Sequence, residues 1–235
     1  MTRTPFEAIG NFREVTGIST PTGPLRRGVL YRSGWLMPAS QKDLDVLGQQ
    51  LGLARVYDLR RAREVEPDLV TRLSAAGVRH ESFPLRRSDG PPEPGTDESA
   101  LLTGAFAAAR PDLAALVCAL ARDDVVPVVV SCVLGRDRTG LAVAVLLGLL
   151  GAPDQEIAQE YALTSEAAAP AQWSRRLRWE RGIDAVAELG RTRPEAVHRL
   201  FASVRSRYGD LEHALAPFGV TRQVREALRA RLLEK

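Results

Sequence analysis

Apolar residues along this chain alternate between short β-branched runs and stretches in which they recur every three or four positions, the two periodicities of buried strands and amphipathic helices. After an irregular, turn-rich segment over residues 1–27, which contains STPTGPLRRG, Val29, Leu30 and Tyr31 begin a short strand. Ser40 caps a helical pattern through Leu44, Leu47 and Leu51 that Gly52 stops. Leu53–Leu59 reads as a strand, Asp68–Ala76 as a helix and Val78–Leu85 as a further strand. Arg86–Thr96, rich in Pro, Gly and charge, is a loop of a length that suits a lid or a disordered segment. Helices are predicted over Glu98–Arg110 and over Pro111–Ala121, with Pro111 in a first helical turn. Val125–Val130 is a nearly continuous β-branched run, the mark of a central strand covered on both faces, and Pro127 places its first residues at the strand's start or an edge. Leu141–Leu150 is apolar all round and reads as a buried helix, being about half the ~18–20 residues of a membrane span; no span is expected. Beyond Gly151 the pattern is helical: Asp154–Leu163, a segment holding Trp173 and Trp179, Pro194–Tyr208 and Thr221–Leu233. The strand–helix alternation predicts one α/β domain over residues 1–235, a mainly parallel central β-sheet flanked by helices, with residues 152–235 as a helical layer.

Composition adds exclusions. With 235 residues, 45% hydrophobic and 26% charged, the chain can bury a sizeable core and is neither collagen-like nor wholly disordered. Its two cysteines cannot build a disulfide framework or a four-thiolate zinc site. MTRTPFEAIG has no apolar segment behind a basic start, so no secretory signal is expected and a cytoplasmic location is the default. The formal charge of +3 involves lysine only at Lys42 and Lys235; the other 30 of 32 basic residues are arginine. They form no basic block and no interleaving with aromatics, which argues against nucleic acid. Two readings stay open, a coding bias towards arginine and a surface favouring anionic substrates through bidentate guanidinium contacts.

The candidate chemistry lies where the β-branched run meets the apolar helix, in SCVLGRDRTG over residues 131–140. Cys132 and Arg138 six positions apart decide nothing in so arginine-rich a chain; with Gly135, Thr139 and Gly140 also required, chance coincidence falls to roughly two in ten thousand. A loop turning from a strand into a helix N-terminus directs successive N–H groups into one concavity, a phosphate cradle that the helix dipole reinforces. Gly135 permits the tight backbone, Arg138 can fork across two phosphate oxygens, and a cysteine at the floor of such a cradle is a candidate thiolate nucleophile.

This segment resembles the HCx5R-Ser/Thr signature of the cysteine-dependent protein tyrosine phosphatases, and more closely the HCxxGKDRTG pattern of the bacterial tyrosine/lipid phosphatase family. NFREVTG (Asn11–Gly17) is similar to that family's NFRDVGG opening, GVLYRSG (Gly28–Gly34) to its strand before the first helix, and VYDLRRARE (Val56–Glu64) to its DLR segment. The resemblance covers most of the chain; the loop is highly specific and the other three matches are supportive. It implies a protein tyrosine phosphatase-like fold with a C-terminal helical lid, a phosphocysteine formed on Cys132, and Arg138 as phosphate and transition-state clamp. Asp137 would be the general acid and then the base, with Asp89 and Asp97 as alternatives. Val133, Leu134, Gly135 and Arg136 would complete the phosphate site, and Thr139 would hydrogen-bond the cysteine sulfur. No cofactor or metal is implied; the partner would be a phosphorylated protein, lipid or small molecule, without nucleic acid or stable membrane insertion. Ser131 replaces the family's histidine with a smaller hydroxyl, and Leu134 stands where close relatives carry a small residue, which would make the pocket edge narrower or more apolar.

A tyrosine or dual-specificity phosphatase is therefore the leading expectation. A phosphatase of phosphoinositides or small metabolites is the alternative, and a phosphate-binding module slowed by Ser131 is the reading from another class. Elsewhere, Cys118 reads as core, His80, His198 and His213 as surface or structural, and Arg60 and Glu64 as an i, i+4 ion pair. Trp173 and Trp179 read as helix anchors or ligand contacts, and Asp58, at a strand's C-terminal end, as site-facing or structural.

Overall fold

Three four-residue strands, β2 (Leu30–Ser33), β3 (Arg55–Asp58) and β5 (Val128–Ser131), are buried along their whole length. Covered on both faces, they suit the near-continuous apolar runs of their sequence. The computed structural model describes residues 6–85, 97–122 and 126–234. In it these strands and β4 (Arg79–Ser82) pair in parallel, and β1 (Arg13–Glu14) joins antiparallel at the β2 edge, giving the order β1-β2-β5-β3-β4. Ser33, Ser131 and Asp58 stand side by side across the three central strands. The chain therefore leaves all three at one level of the sheet, and the loops that follow meet at its C-terminal edge, where α/β sheets bind ligands.

Helices cover both faces. One face carries α1 (Gln41–Asp45, continued by a wider π-helical turn over Val46–Gln50) and α2 (Pro67–Ala75), packed through Leu44, Leu47, Leu69 and Leu73. Ser40 caps α1 as expected, with a reciprocal bond to Asp43. The other carries α3 (Glu98–Leu120), α4 (Asp137–Leu150), α5 (Asp154–Ala162) and α8 (Glu195–Tyr208) around one large core. α9 (Leu211–Leu215) and the final α10 (Arg222–Leu232) complete that layer, while α6 (Ala171–Arg181) and α7 (Ala185–Leu189) form a separate apolar cluster with Trp35 and the loop residues Val133 and Leu134.

Several expectations need correction. The two helices predicted on either side of Arg110 are one helix of 23 residues that runs through Pro111. The proline removes one backbone bond, but Phe106, Leu113, Leu116, Val117 and Leu120 are buried along the same helix, and continuous packing outweighs the break. This helix is also long and apolar enough to cross a membrane by length and composition, whereas the expectation rested on Leu141–Leu150 alone. The N-terminal segment is not wholly irregular, because β1 lies in it. The strand expected over Val78–Leu85 is confined to β4, although Phe83 and Leu85 still donate to the carbonyls of Asp58 and Leu59. The loop Arg86–Thr96, with Asp89, and the first residue of the strand expected from Val125 lie outside the described residues.

Candidate active site

Cys132 leaves β5 at the centre of the sheet edge, and five residues later the chain enters α4 at Asp137. Gly135 turns the loop with φ +68°, and a Cβ there would stand 2.6 Å from the Ser33 carbonyl carbon, so both backbone angle and space demand glycine. Three successive loop carbonyls are held from outside. Val133 O accepts from Trp35 N–H at 2.8 Å, Leu134 O from Asn11 Nδ2 at 2.8 Å and Gly135 O from Arg32 Nη2 at 2.6 Å. In a planar trans peptide the N–H opposes the C=O, so the N–H groups of Leu134, Gly135 and Arg136 face the other way. Among the described residues no acceptor takes the N–H of any residue from Cys132 to Arg136. Together with the free amides of the first turn of α4 they are a set of donors that can hold an anion. The Cys132 side chain lies in this region, 3% exposed.

Arg138 is aimed by a residue that sequence reasoning assigned elsewhere. Its Nη1 and Nη2 donate to the two carboxylate oxygens of Glu64 at 2.9 and 3.1 Å, and Nη1 also reaches Leu59 O at 3.3 Å. Counting donors leaves Nε–H and one Nη2 hydrogen, a complete fork edge, without an acceptor among the described residues. Burial lowers the proton affinity of Arg138, but the charges of Cys132 and Glu64 raise it by more. Burial likewise raises the Glu64 carboxyl, and the Arg138 contacts outweigh it and bring it below its ordinary value. The expected Arg60–Glu64 ion pair is absent because Asp58 claims Arg60, whose Nε and Nη2 lie 2.8–3.1 Å from the Asp58 carboxylate. Arg60 instead donates to the Glu64 carbonyl and to Glu66 Oε2, each at 2.9 Å, which fixes the turn that presents Glu64.

Asp58 is thus structural, buried beneath the loop, with His80 Nε2 at 3.1 Å as a second partner. Burial alone would raise its carboxyl, yet the hydrogen bonds from His80 and Arg60 and the charge of Arg60 hold it down to about 2. A depressed carboxyl contributes stability above its unfolded value near 4 and loses it as pH falls towards 2. In urea unfolding, the stability difference between wild type and Asp58→Asn is therefore expected to shrink by about 2–3 kcal/mol between about pH 5 and pH 2.

Asp137 opens α4 with its carboxylate one third exposed and 2.8 Å from Arg136 Nε. Of its two arginine neighbours in sequence only Arg136 pairs with it, since Arg138 is turned to Glu64. Arg136 Nη1 also binds the Glu188 carboxylate at 3.0 Å and the Glu188 carbonyl, so its side chain ties the loop to α7 and its backbone N–H is what faces the cradle. The alternative acid Asp97 is exposed and paired with Arg199 at 2.9 Å.

Other site residues depart from expectation. Leu134 does not edge the pocket: with Val133 it packs against Trp35, Trp173, Leu177 and Leu189, because α6 and α7 supply an apolar cover at that spot. Thr139 is fully buried and makes no hydrogen bond to the Cys132 sulfur; its hydroxyl has no partner among the described residues. Ser131 Oγ donates to Gly34 O at 3.2 Å and so braces the turn after β2. The two tryptophans separate: Trp173 is buried with its Nε1–H on Trp35 O at 3.1 Å, while Trp179 is 90% exposed and anchors nothing. A Cβ at Gly10 would lie 2.4 Å from the Trp173 ring, so that close approach requires glycine. Arg181 fastens α6 from the other side, its guanidinium 4.8 Å above the Trp35 ring and 2.8 Å from Glu66 Oε1. Cys118 packs at the edge of the core with its Sγ 3.6 Å from Gly219 O, and burial raises its thiol. His80 is structural, and His213 is exposed beside Asp210. Among the described residues no three His, Cys, Asp or Glu side chains converge as a metal site would.

No curated protein sequence matches the chain. Among solved structures it is similar to the Siw14 catalytic core, with 14% identity over 79% of this chain and 87% of that one and a TM-score of 0.45. It is also similar to the core catalytic domain of the PP-IP phosphatase SIW14 from S. cerevisiae, with 19% identity over 62% and 77% and a TM-score of 0.37. A DUF442 protein from Shewanella putrefaciens CN-32 shares 15% identity over 90% and 93%, with a TM-score of 0.39. Residues 4–234 match the tyrosine phosphatase family. The strand–loop–helix cradle around Cys132 and Arg138 thus sits in a chain that, matched over nearly its whole length, belongs to the tyrosine phosphatase family and is a phosphoric monoester hydrolase.

Proposed function

We propose that this phosphatase hydrolyses tyrosine or dual-specificity phosphoprotein substrates through a phosphocysteine on Cys132. The observation that carries the reading is the outward fixing of the Val133, Leu134 and Gly135 carbonyls beside the open fork edge of Arg138. Inward amides and guanidinium match the oxygens of a phosphoryl group, and preorganised donors of this kind are the largest catalytic contribution in many enzymes. In the first step the Cys132 sulfur attacks phosphorus, the P–O bond to the leaving group breaks, and Asp137 protonates that oxygen. In the second, water attacks the phosphocysteine, Asp137 takes its proton, and the S–P bond returns its electron pair to sulfur. Asp137 is the one carboxylate within the loop itself.

The reading is tested by kcat/KM on phosphotyrosyl and phosphothreonyl peptides, phosphoinositides and metabolite phosphates, with chelator present. Peptides are expected to lead; a tenfold preference for lipids or metabolites overturns the substrate class, and bound phosphate with no turnover overturns the mechanism in favour of a binding module. Asp137→Asn is expected to slow phenyl phosphate by about 10²–10⁴-fold but p-nitrophenyl phosphate much less, because the nitrophenolate leaves with little help from an acid. Equal losses on the two esters would move the proton donor to another residue.

A further inference from the structure

Behind the cradle lies a buried charge cluster that touches neither the cysteine nor the fork edge. Arg32, on β2, is 0% exposed, and its guanidinium bridges Glu160 Oε2 and the Gly135 carbonyl, both at 2.6 Å. Glu160, on α5, is also buried and accepts from Arg13 Nε at 3.0 Å. Arg13 Nη1 in turn holds Asn11 Oδ1 at 2.5 Å, and the other end of that amide, Nδ2, donates to Leu134 O. Two arms therefore run from one carboxylate to two consecutive loop carbonyls, Glu160–Arg32–Gly135 and Glu160–Arg13–Asn11–Leu134. They engage the NFR and YRSG segments that the phosphocysteine chemistry leaves without a role.

We infer that Glu160 is a positioning residue: through Arg32 and Arg13 it sets the peptide planes that aim the Gly135 and Arg136 N–H groups at the bound phosphoryl oxygens. Buried ion clusters seldom add stability over apolar packing of the same volume, so the placement of this one on two loop carbonyls calls for a role beyond folding. The cluster also leaves two guanidiniums against one carboxylate, a net positive charge behind the cradle that favours an anion within it. Burial, and then the neighbouring charge of Arg32, lower Arg13 to about 10, so it stays charged at neutral pH. Contacts with both arginines outweigh the effect of burial on Glu160 and keep it ionised.

The inference rests on the anion site proposed above, and the test separates the two. Wild type, Glu160→Gln and Arg32→Lys are compared by p-nitrophenyl phosphate kinetics, orthovanadate inhibition, thermal unfolding and the amide NMR shifts of Gly135 and Arg136 on adding vanadate. Glu160→Gln keeps the shape and removes the charge; Arg32→Lys keeps the charge and removes the fork. Each is expected to lower kcat and weaken vanadate inhibition about 10–100-fold while remaining folded, with the two amide responses reduced. A core variant, Val143→Ala, is expected to lower the unfolding temperature with kcat unchanged. Folded variants within twofold of wild type in kcat and vanadate inhibition overturn the positioning role, and if Glu160→Gln does not fold, Arg32→Lys alone decides. A wild type that neither turns over nor binds vanadate overturns the site itself, and the inference with it.

Discussion

Cys132→Ser is expected to lower turnover of p-nitrophenyl phosphate by at least about 10⁴-fold while inorganic phosphate still binds. The asymmetry follows from where binding and reaction reside. In the proposed site the anion is held by backbone N–H groups whose carbonyls are fixed from outside, and by the open edge of Arg138, none of which depends on the residue at position 132. Reaction requires an anionic attacking atom, and a serine hydroxyl at the same place keeps its proton: in the first step Asp137 carries the proton destined for the leaving oxygen, and Glu64 is held by Arg138. The other cysteine, Cys118, offers no substitute, because it sits on α3 with its thiol raised by burial. Initial rates beside calorimetric phosphate titration check the prediction. Residual turnover above a few per cent, or binding lost as steeply as rate, would place the nucleophile or the anion site elsewhere.

What could be read from the sequence was what is built locally. Val128–Val130, Gly135 and Asp137–Leu150 make a buried strand, a left-handed turn and an apolar helix within 23 residues, and each declares itself through composition alone. Asp89 lies outside the described residues, and the Arg199 partner of Asp97 stands 102 residues away, where no local pattern shows it. Glu64 was misassigned for a related reason. The cation four positions before it, Arg60, is diverted by Asp58, and its actual partner stands 74 residues on. The motif residues Asn11 and Arg32 reach the loop across 123 and 103 residues, so resemblance could mark them without saying what they hold. Leu134 was misread as pocket edge because the cover over it comes from α6 and α7, beyond any local pattern. The divergence of Trp173 and Trp179 was within reach: six positions at 100° each put them about 120° apart around α6, so one buried ring implies a solvent-facing one.

Arg138→Lys is expected to lower kcat for p-nitrophenyl phosphate about 10³-fold, nearly as far as Arg138→Ala, although lysine keeps the charge. The reason is the division of labour within one guanidinium. Nη1 and one hydrogen of Nη2 are committed to Glu64 and Leu59, and this bidentate clamp leaves the Nε–Nη2 edge oriented for two phosphoryl oxygens. An ammonium is a single point of charge on a flexible stem. Placed beside a half-buried carboxylate, it pairs with Glu64 and is drawn away from the phosphoryl group, and even when shared it cannot offer two parallel donors in a plane. The penalty falls mainly on kcat, because charge on the equatorial oxygens develops further in the transition state than in the bound ester. The Arg138→Lys variant carrying also Glu64→Gln separates the two causes. If capture by Glu64 dominates, removing its charge restores part of the lost kcat; if the planar fork dominates, the double variant stays as slow as Arg138→Lys. A single Arg138→Lys variant that retains more than a tenth of wild-type kcat would show that positive charge alone suffices and that the alignment of Arg138 by Glu64 is without catalytic consequence.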